Sequence, residues 1–244
     1  MTRLVYADLL RIRTTRTIAW YLAGLIIGVG LGVTGQMVTL SAEELEQEQI
    51  FLDTLEASGA STILMLIYGL IGFAGEHRHG TITQMFLATP VRERVVAAKV
   101  ITFSFVGLVL GVFAIALTIA MALPWMAAKG AQADVFDRDA VLLLLGIVAT
   151  ATLWGGLGAA FGAIAPNQVA AITIVFAWFF VIENIISGLL PEIAPYTPGG
   201  AARGLMGVDE EELLPMGAAA AVTVAYVLAL GALGAALVAR RDIT

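Results

Sequence analysis

Residues whose types could carry chemistry fall in two places along this chain. The first is Gly75 to Lys99, GEHRHGTITQMFLATPVRERVVAAK, the one long polar and basic interruption in the first half of a mostly apolar sequence. It holds Glu76 and Arg78 together with His77 and His79. Histidines at i and i+2 do not share a helical face, so no metal site is expected there. The second is Glu183-Asn184, an acidic residue deep inside an apolar run. An ionisable group in hydrocarbon is costly, so it should face the bundle interior, water or a partner. Two uses stay open for it. Glu183 and Asn184 line a translocation path and meet a cationic or hydrogen-bonding part of a substrate, or the carboxylate is solvated near the interface or caps buried backbone groups.

The chemistry that is missing narrows the function. There is no G-x-x-x-x-G-K-[ST] loop to cradle nucleotide phosphates, no G-x-S-x-G elbow and no H-E-x-x-H helix. No cysteine is present, so disulfides and thiolate metal ligation are excluded. The chain is expected to be no enzyme, with no metal and no cofactor of its own. Any ATP-driven work would need a second polypeptide.

The elements that must position these residues are membrane helices. Hydrophobic residues make up 59% of the 244, charged residues 13%, and the mean hydropathy is +0.92. The apolar runs match the roughly 20 residues a helix needs to cross a bilayer. They are continuous and lack the alternation of a transmembrane β-barrel. Six spans are predicted, at about 18–39, 58–75, 100–123, 140–164, 168–190 and 214–239. The fold expected is an all-α polytopic membrane protein, a single transmembrane domain over 1–244. Six spans put both termini on one side, which carries ten of the Lys and Arg residues against three on the other. The positive-inside rule makes that side cytoplasmic, with the chain in the cytoplasmic membrane.

Between the spans the pattern is informative. Met1, Leu4, Val5, Leu9 and Ile12 recur at helical spacing among arginines, predicting an amphipathic interfacial helix over 1–16 rather than a cleaved signal. Gly24, Gly28 and Gly32 form two overlapping GxxxG spacings, and Gly158 and Gly162 repeat the theme in the fourth span. Ser41 to Ala57 is strongly acidic and predicts an outer helix, with Ser41-x-x-Glu44 as capping box. Pro124 to Asp139 reads as an outer loop, and the Pro- and Gly-rich stretch 191–213 as short broken helices. Within the basic stretch, Thr81-x-x-Gln84 has capping-box spacing and Ile82, Met85, Phe86 and Thr89 share a face that Pro90 ends. A short amphipathic helix with exposed Met and Phe suits a groove on a partner, or simply touches lipid.

Glu76, Gly80-Thr81, Thr89-Pro90-Val91 and Arg94, leading through Lys99 into a span, resemble the E-x-x-x-G-T…T-P…R…K signature of ABC type-2 exporter permeases. That family also has six spans, an amphipathic N-terminal helix and an outer loop folding back between spans five and six, so the resemblance covers nearly the whole chain. It implies that residues 76–94 form a cytoplasmic coupling helix docking on a separate ATP-binding cassette subunit, through Glu76, Arg78, Gly80, Thr81, Met85, Phe86 and Pro90. Arg78 departs from the family, which often has an acidic residue there. The implied function is the permease of an ATP-driven exporter moving a drug, antibiotic peptide or lipid-like compound. Two ATPase subunits carrying ATP and Mg, a second permease chain (identical or paralogous) and membrane lipid are the implied partners, with no nucleic acid. The competing classes are an ATP-independent channel or secondary transporter, a permease extruding cations, and a non-transporting scaffold.

Overall fold

The structure is a computed structural model describing residues 1–41, 48–78, 89, 91–131, 135–165, 167–207 and 212–240, the side chains at 48, 49, 57, 60, 77 and 78 excepted. Among the described residues every regular element is helical. Six stretches are long and apolar enough to cross a membrane, which makes this a multi-pass membrane protein: Arg16–Thr39, Ile50–Glu76, Arg92–Ala128, Arg138–Ile164, Gln168–Leu189 and Met216–Arg240.

The chain opens with α1 (Thr2–Thr14), breaks at Thr15 in extended backbone, and continues as α2 (Arg16–Thr39). The predicted outer helix follows as α3 (Glu48–Glu56). Phe51, Thr54 and Leu55 on it are buried, while Glu56 is exposed. After one 3-10 turn the chain runs on as α4 (Ala60–Arg78).

The largest departure from expectation is α5 (Arg92–Ala128), at 37 residues far longer than the predicted 100–123. At 1.5 Å per residue it is about 55 Å long, against a hydrocarbon core of about 30 Å, so it projects beyond the core. Pro124, expected to open a loop, lies inside this helix. The chain just past α5 then serves another helix. Lys129 Nζ donates to the Met37 and Leu40 carbonyls at 2.5 Å each, satisfying acceptors left open at the end of α2.

The core is organised by α6 (Arg138–Ile164), which packs on α4, α5 and the final helix α10 (Met216–Arg240). Its glycines let backbones meet. A Cβ at Gly155 would overlap the Phe103 carbonyl oxygen of α5, and one at Gly158 the Leu66 carbonyl of α4. Gly162 packs somewhat less closely, on Leu70 and Phe73. Small-residue seams of this kind are how membrane helices gain packing without a hydrophobic drive between them. The first span is different. Its buried face is Tyr21, Leu25, Val29, Val33 and Met37, while a Cβ at Gly24 or Gly28 would meet nothing within 4 Å.

The fifth span is peripheral and irregular. It is α7 (Gln168–Ala177), one π-helical stretch over Trp178–Ile182, then α8 (Glu183–Leu189). Only Ala171 and Val175 are buried along α7, so Val169, Ile174, Phe180, Val181 and Ile185 present a broad apolar exterior. The expected broken helices follow: a 3-10 turn at Ala194–Tyr196, then α9 (Pro198–Met206), closed by Gly207 at φ 78°. Pro198, Ala201, Ala202 and Leu205 of α9 are buried, and it packs on α6 and α10.

Candidate functional site

The end of the bundle that carries α1 gathers four charged side chains from three elements. The apolar stripe of α1 has one non-apolar member, because Asp8 stands four residues from both Leu4 and Ile12. Asp8 is accordingly the one buried residue of α1. The last turn of α4 brings Glu76, and the start of the third turn of α5 brings Lys99. Lys99 Nζ donates to Asp8 Oδ1 at 3.0 Å and to Glu76 Oε1 at 2.7 Å. Arg11, one turn after Asp8, also donates from Nη1 to Glu76 Oε1. The Lys99 ammonium lies 5.8 Å from the centroid of the Phe73 ring.

Two carboxylates and two cations balance in charge, which is what lets Asp8, Glu76 and Lys99 leave water while Arg11 stays half-exposed at the edge. Lys99 is 1% exposed and Glu76 is 0% exposed. An isolated charge at that depth would cost several kcal/mol (~) even after relaxation, so each member depends on its partners. One half of each carboxylate remains unserved. Asp8 Oδ2 and Glu76 Oε2 are buried with no hydrogen-bond partner among the described residues.

A cavity of about 260 Å³ opens beside this cluster, between α1, α4 and the start of α5. Asp8, Arg11, Thr15, Thr17, Gln168 and Lys99 supply its polar wall. Tyr68, Ile71 and Phe103 supply an apolar one, with the Tyr68 ring 5.2 Å from that of Tyr21 and 5.6 Å from that of Phe103.

Glu76 sits on the second span's own helix and is buried. Lys99, expected at the mouth of a span, lies seven residues inside α5. Each charge is drawn in because the others are there. Arg78 ends α4, and its side chain lies outside the described residues, as do Gly80, Thr81, Met85, Phe86 and Pro90. Asp8 was not singled out in the sequence, although an acidic residue in the middle of an apolar stripe was the available signal.

At the opposite end, Glu183 is engaged by backbone. Its Oε1 accepts from Gly199 N at 2.9 Å and from Trp178 Nε1 at 2.8 Å. Thr197 Oγ1 accepts from Gly200 N, so the start of α9 is capped twice. A carboxylate is well placed there, facing the positive end of a helix. A Cβ at Gly199 would overlap Glu183 Oε2, so a larger residue there would have to displace the carboxylate. Asn184 lies on the exposed side and donates from Nδ2 to the Phe179 and Phe180 carbonyls at 3.3 and 3.1 Å, within the π-helical stretch. Both residues also line a cavity of about 370 Å³ with Thr62, Trp154, Phe179 and Arg203. Of the two uses open to Glu183, the structure makes the backbone cap explicit, while its place on the cavity wall leaves a pathway role compatible.

The cap has a measurable consequence. Glu183→Ala removes an acceptor from two donors and should lower stability by about 2 kcal/mol, whereas Glu183→Gln keeps a carbonyl oxygen and should lose less than about 1 kcal/mol. Thermal unfolding in detergent reads the difference. Equal losses would mean that Oε1 is not holding α9.

No protein-family model and no curated protein sequence matches this chain.

Proposed function

We propose that the chain is the membrane subunit of an ATP-driven exporter, worked from its cytoplasmic face by a separate ATPase. The observation that supports this most is the cluster of buried Asp8, Lys99 and Glu76 joined by Arg11 at its edge. The segment 79–90 joins the end of α4 to the start of α5, and the cluster cross-ties those two helices to each other and to α1. A push on that segment would meet a rigid junction of three helices instead of a loop free to yield. The polar residues of that segment together with the apolar Met85 and Phe86 would suit a groove on the motor subunit. Both termini and this junction would then lie in the cytoplasm, following the asymmetry of Lys and Arg.

On this reading Glu76 and Lys99 are positioning residues, and contact with the ATPase falls to residues around Arg78 to Pro90. ATP-driven closure of two ATPase subunits would move two such permease chains as rigid bodies, changing the side to which the pathway opens. The cavity wall at Glu183 and Asn184 would lie on that pathway, and the cargo would be amphipathic or hydrophobic.

The test is reconstitution. The chain, co-expressed with an ATPase encoded beside it, should co-purify with that subunit and stimulate its hydrolysis. Met85→Pro, by breaking the docking helix, should cut ATP-dependent transport in vesicles by about tenfold or more while the chain still inserts, since tenfold corresponds to only about 1.4 kcal/mol of lost coupling. Transport by the chain alone, indifferent to nucleotide, would overturn the proposal in favour of a channel or secondary transporter.

A further inference from the structure

The apolar stripe of α1 is turned toward the protein. Leu4, Val5, Leu9 and Ile12 are half-buried around the buried Asp8, and Leu9 and Ile12 pack on the apolar core. This leaves α1 a second, outward face that the transport reading does not use. Arg3, Tyr6, Leu10 and Arg13 form it, spaced three, four and three residues apart. Tyr6 is 65% exposed and Leu10 45%. Arg3, Arg13 and the adjoining Arg16 are also exposed, and none of them makes an ion pair among the described residues. The one acid of α1, Asp8, is engaged by Lys99. Neighbouring helix ends add Arg92, Arg94 and Arg240 at this end of the bundle, against one exposed acid, Glu93, among the described residues.

We propose that the outward face of α1 binds anionic membrane phospholipid, with Arg3 and Arg13 on the phosphates and Tyr6 and Leu10 against the glycerol and upper acyl chains. Charge complementarity selects the lipid, because each arginine near the surface adds attraction to an anionic leaflet and gains little from a zwitterionic one. The level of α1 selects lipid over a soluble protein. Asp8 and Arg11 tie α1 to Lys99 and to Glu76 in the last turn of α4, so it lies beside the ends of the spans and does not project beyond them. α2 starts directly after Thr15, and Trp20 in its second turn is 77% exposed. An outward tryptophan near the end of a span belongs at the membrane–water interface. At that level an exposed tyrosine and leucine reach the headgroup–acyl boundary, while arginines extend to the phosphates. Lipid held there presses α1 onto α4 and α5, and so stabilises the fold. The inference rests on the membrane reading only and is independent of any ATPase.

The experiment uses the full chain, delipidated in detergent. Short-chain phosphatidylglycerol or phosphatidylcholine is titrated in while the thermal unfolding midpoint and the lipid retained in native mass spectrometry are followed. Phosphatidylglycerol should raise the midpoint saturably and bind about thirtyfold tighter than the choline lipid, the factor for two arginines at the surface, and rising salt should shrink the difference. Arg3→Gln combined with Arg13→Gln should bring the two lipids to within about threefold of each other without lowering the midpoint of the lipid-free chain, since neither side chain holds an ion pair among the described residues. Tyr6→Ser combined with Leu10→Ser should weaken both lipids alike, because apolar contact does not sense headgroup charge. Arg138→Gln, at the start of α6 and the opposite end of the bundle, should leave the preference unchanged. Equal binding of the two lipids by the native chain, a preference that survives loss of both α1 arginines, or one that falls as far with Arg138→Gln would overturn the assignment. If the arginine pair variant kept its lipid preference but lost a co-purifying protein, the face would belong to that protein instead.

Discussion

Lys99→Met should be among the most damaging substitutions in this protein, lowering stability by about 3–5 kcal/mol, the usual cost of removing one partner from a buried ion pair. Methionine fits the space, so the loss is electrostatic. Asp8 would be left without its cation, and Glu76 would keep only Arg11. Removing the charges together should be far milder. The triple variant Lys99→Met, Asp8→Leu, Glu76→Gln leaves no buried charge, only the half-exposed Arg11 beside an amide oxygen, and should regain most of the lost stability, because replacing buried ion pairs with neutral groups is often near neutral. Unfolding midpoints in detergent, with the monodisperse fraction after purification, check both. A triple variant no more stable than the single one would mean that the helices are held by something other than charge balance.

The second large effect comes from steric contact in the apolar core. Gly158→Val places a Cβ on the Leu66 carbonyl oxygen, with the Leu66 carbonyl carbon 2.8 Å and Cα 3.0 Å away. These are backbone atoms of α4, so no side chain can rotate to make room, and α4 and α6 must part along their seam. Overpacking of this kind costs about 1–3 kcal/mol, and the valine should stand at the upper end. Gly28→Val is the control. A Cβ at Gly28 meets nothing within 4 Å, and its change should stay within about 0.5 kcal/mol. Equal damage at the two positions would show that Gly28 is packed too, against a second chain.

The comparison of Gly28 with Gly158 also shows how far reading along the chain reaches. Both belong to GxxxG spacings in apolar runs, and nothing local separates them. One lies on a helix whose buried face is Tyr21, Leu25, Val29, Val33 and Met37, so its glycines fall elsewhere. The other lies on the helix at the centre of the bundle, where a Cβ has no room. Helix ends show a similar limit. Arg92, Arg94 and Lys99 mark the end of hydrocarbon-like sequence, and the span was expected to begin after them. Backbone hydrogen bonding does not stop where hydropathy does, so α5 starts at Arg92 and carries Lys99 into the interior. At Glu183 the backbone cap could not be read along the chain, because one of its donors is Gly199, sixteen residues further on.

Counting the spans needed no tertiary information. A bilayer judges each stretch of chain against a single apolar solvent, so length and hydropathy suffice for six helices, and an uneven share of Lys and Arg suggests their orientation. Asp8 within its apolar stripe was equally visible, as an anomaly without an explanation. Its meaning depends on Lys99, ninety-one residues away, and on Glu76 from a third helix. A charge survives burial only if particular partners arrive at hydrogen-bond distance, and that is a property of how the helices cross, which no local pattern carries.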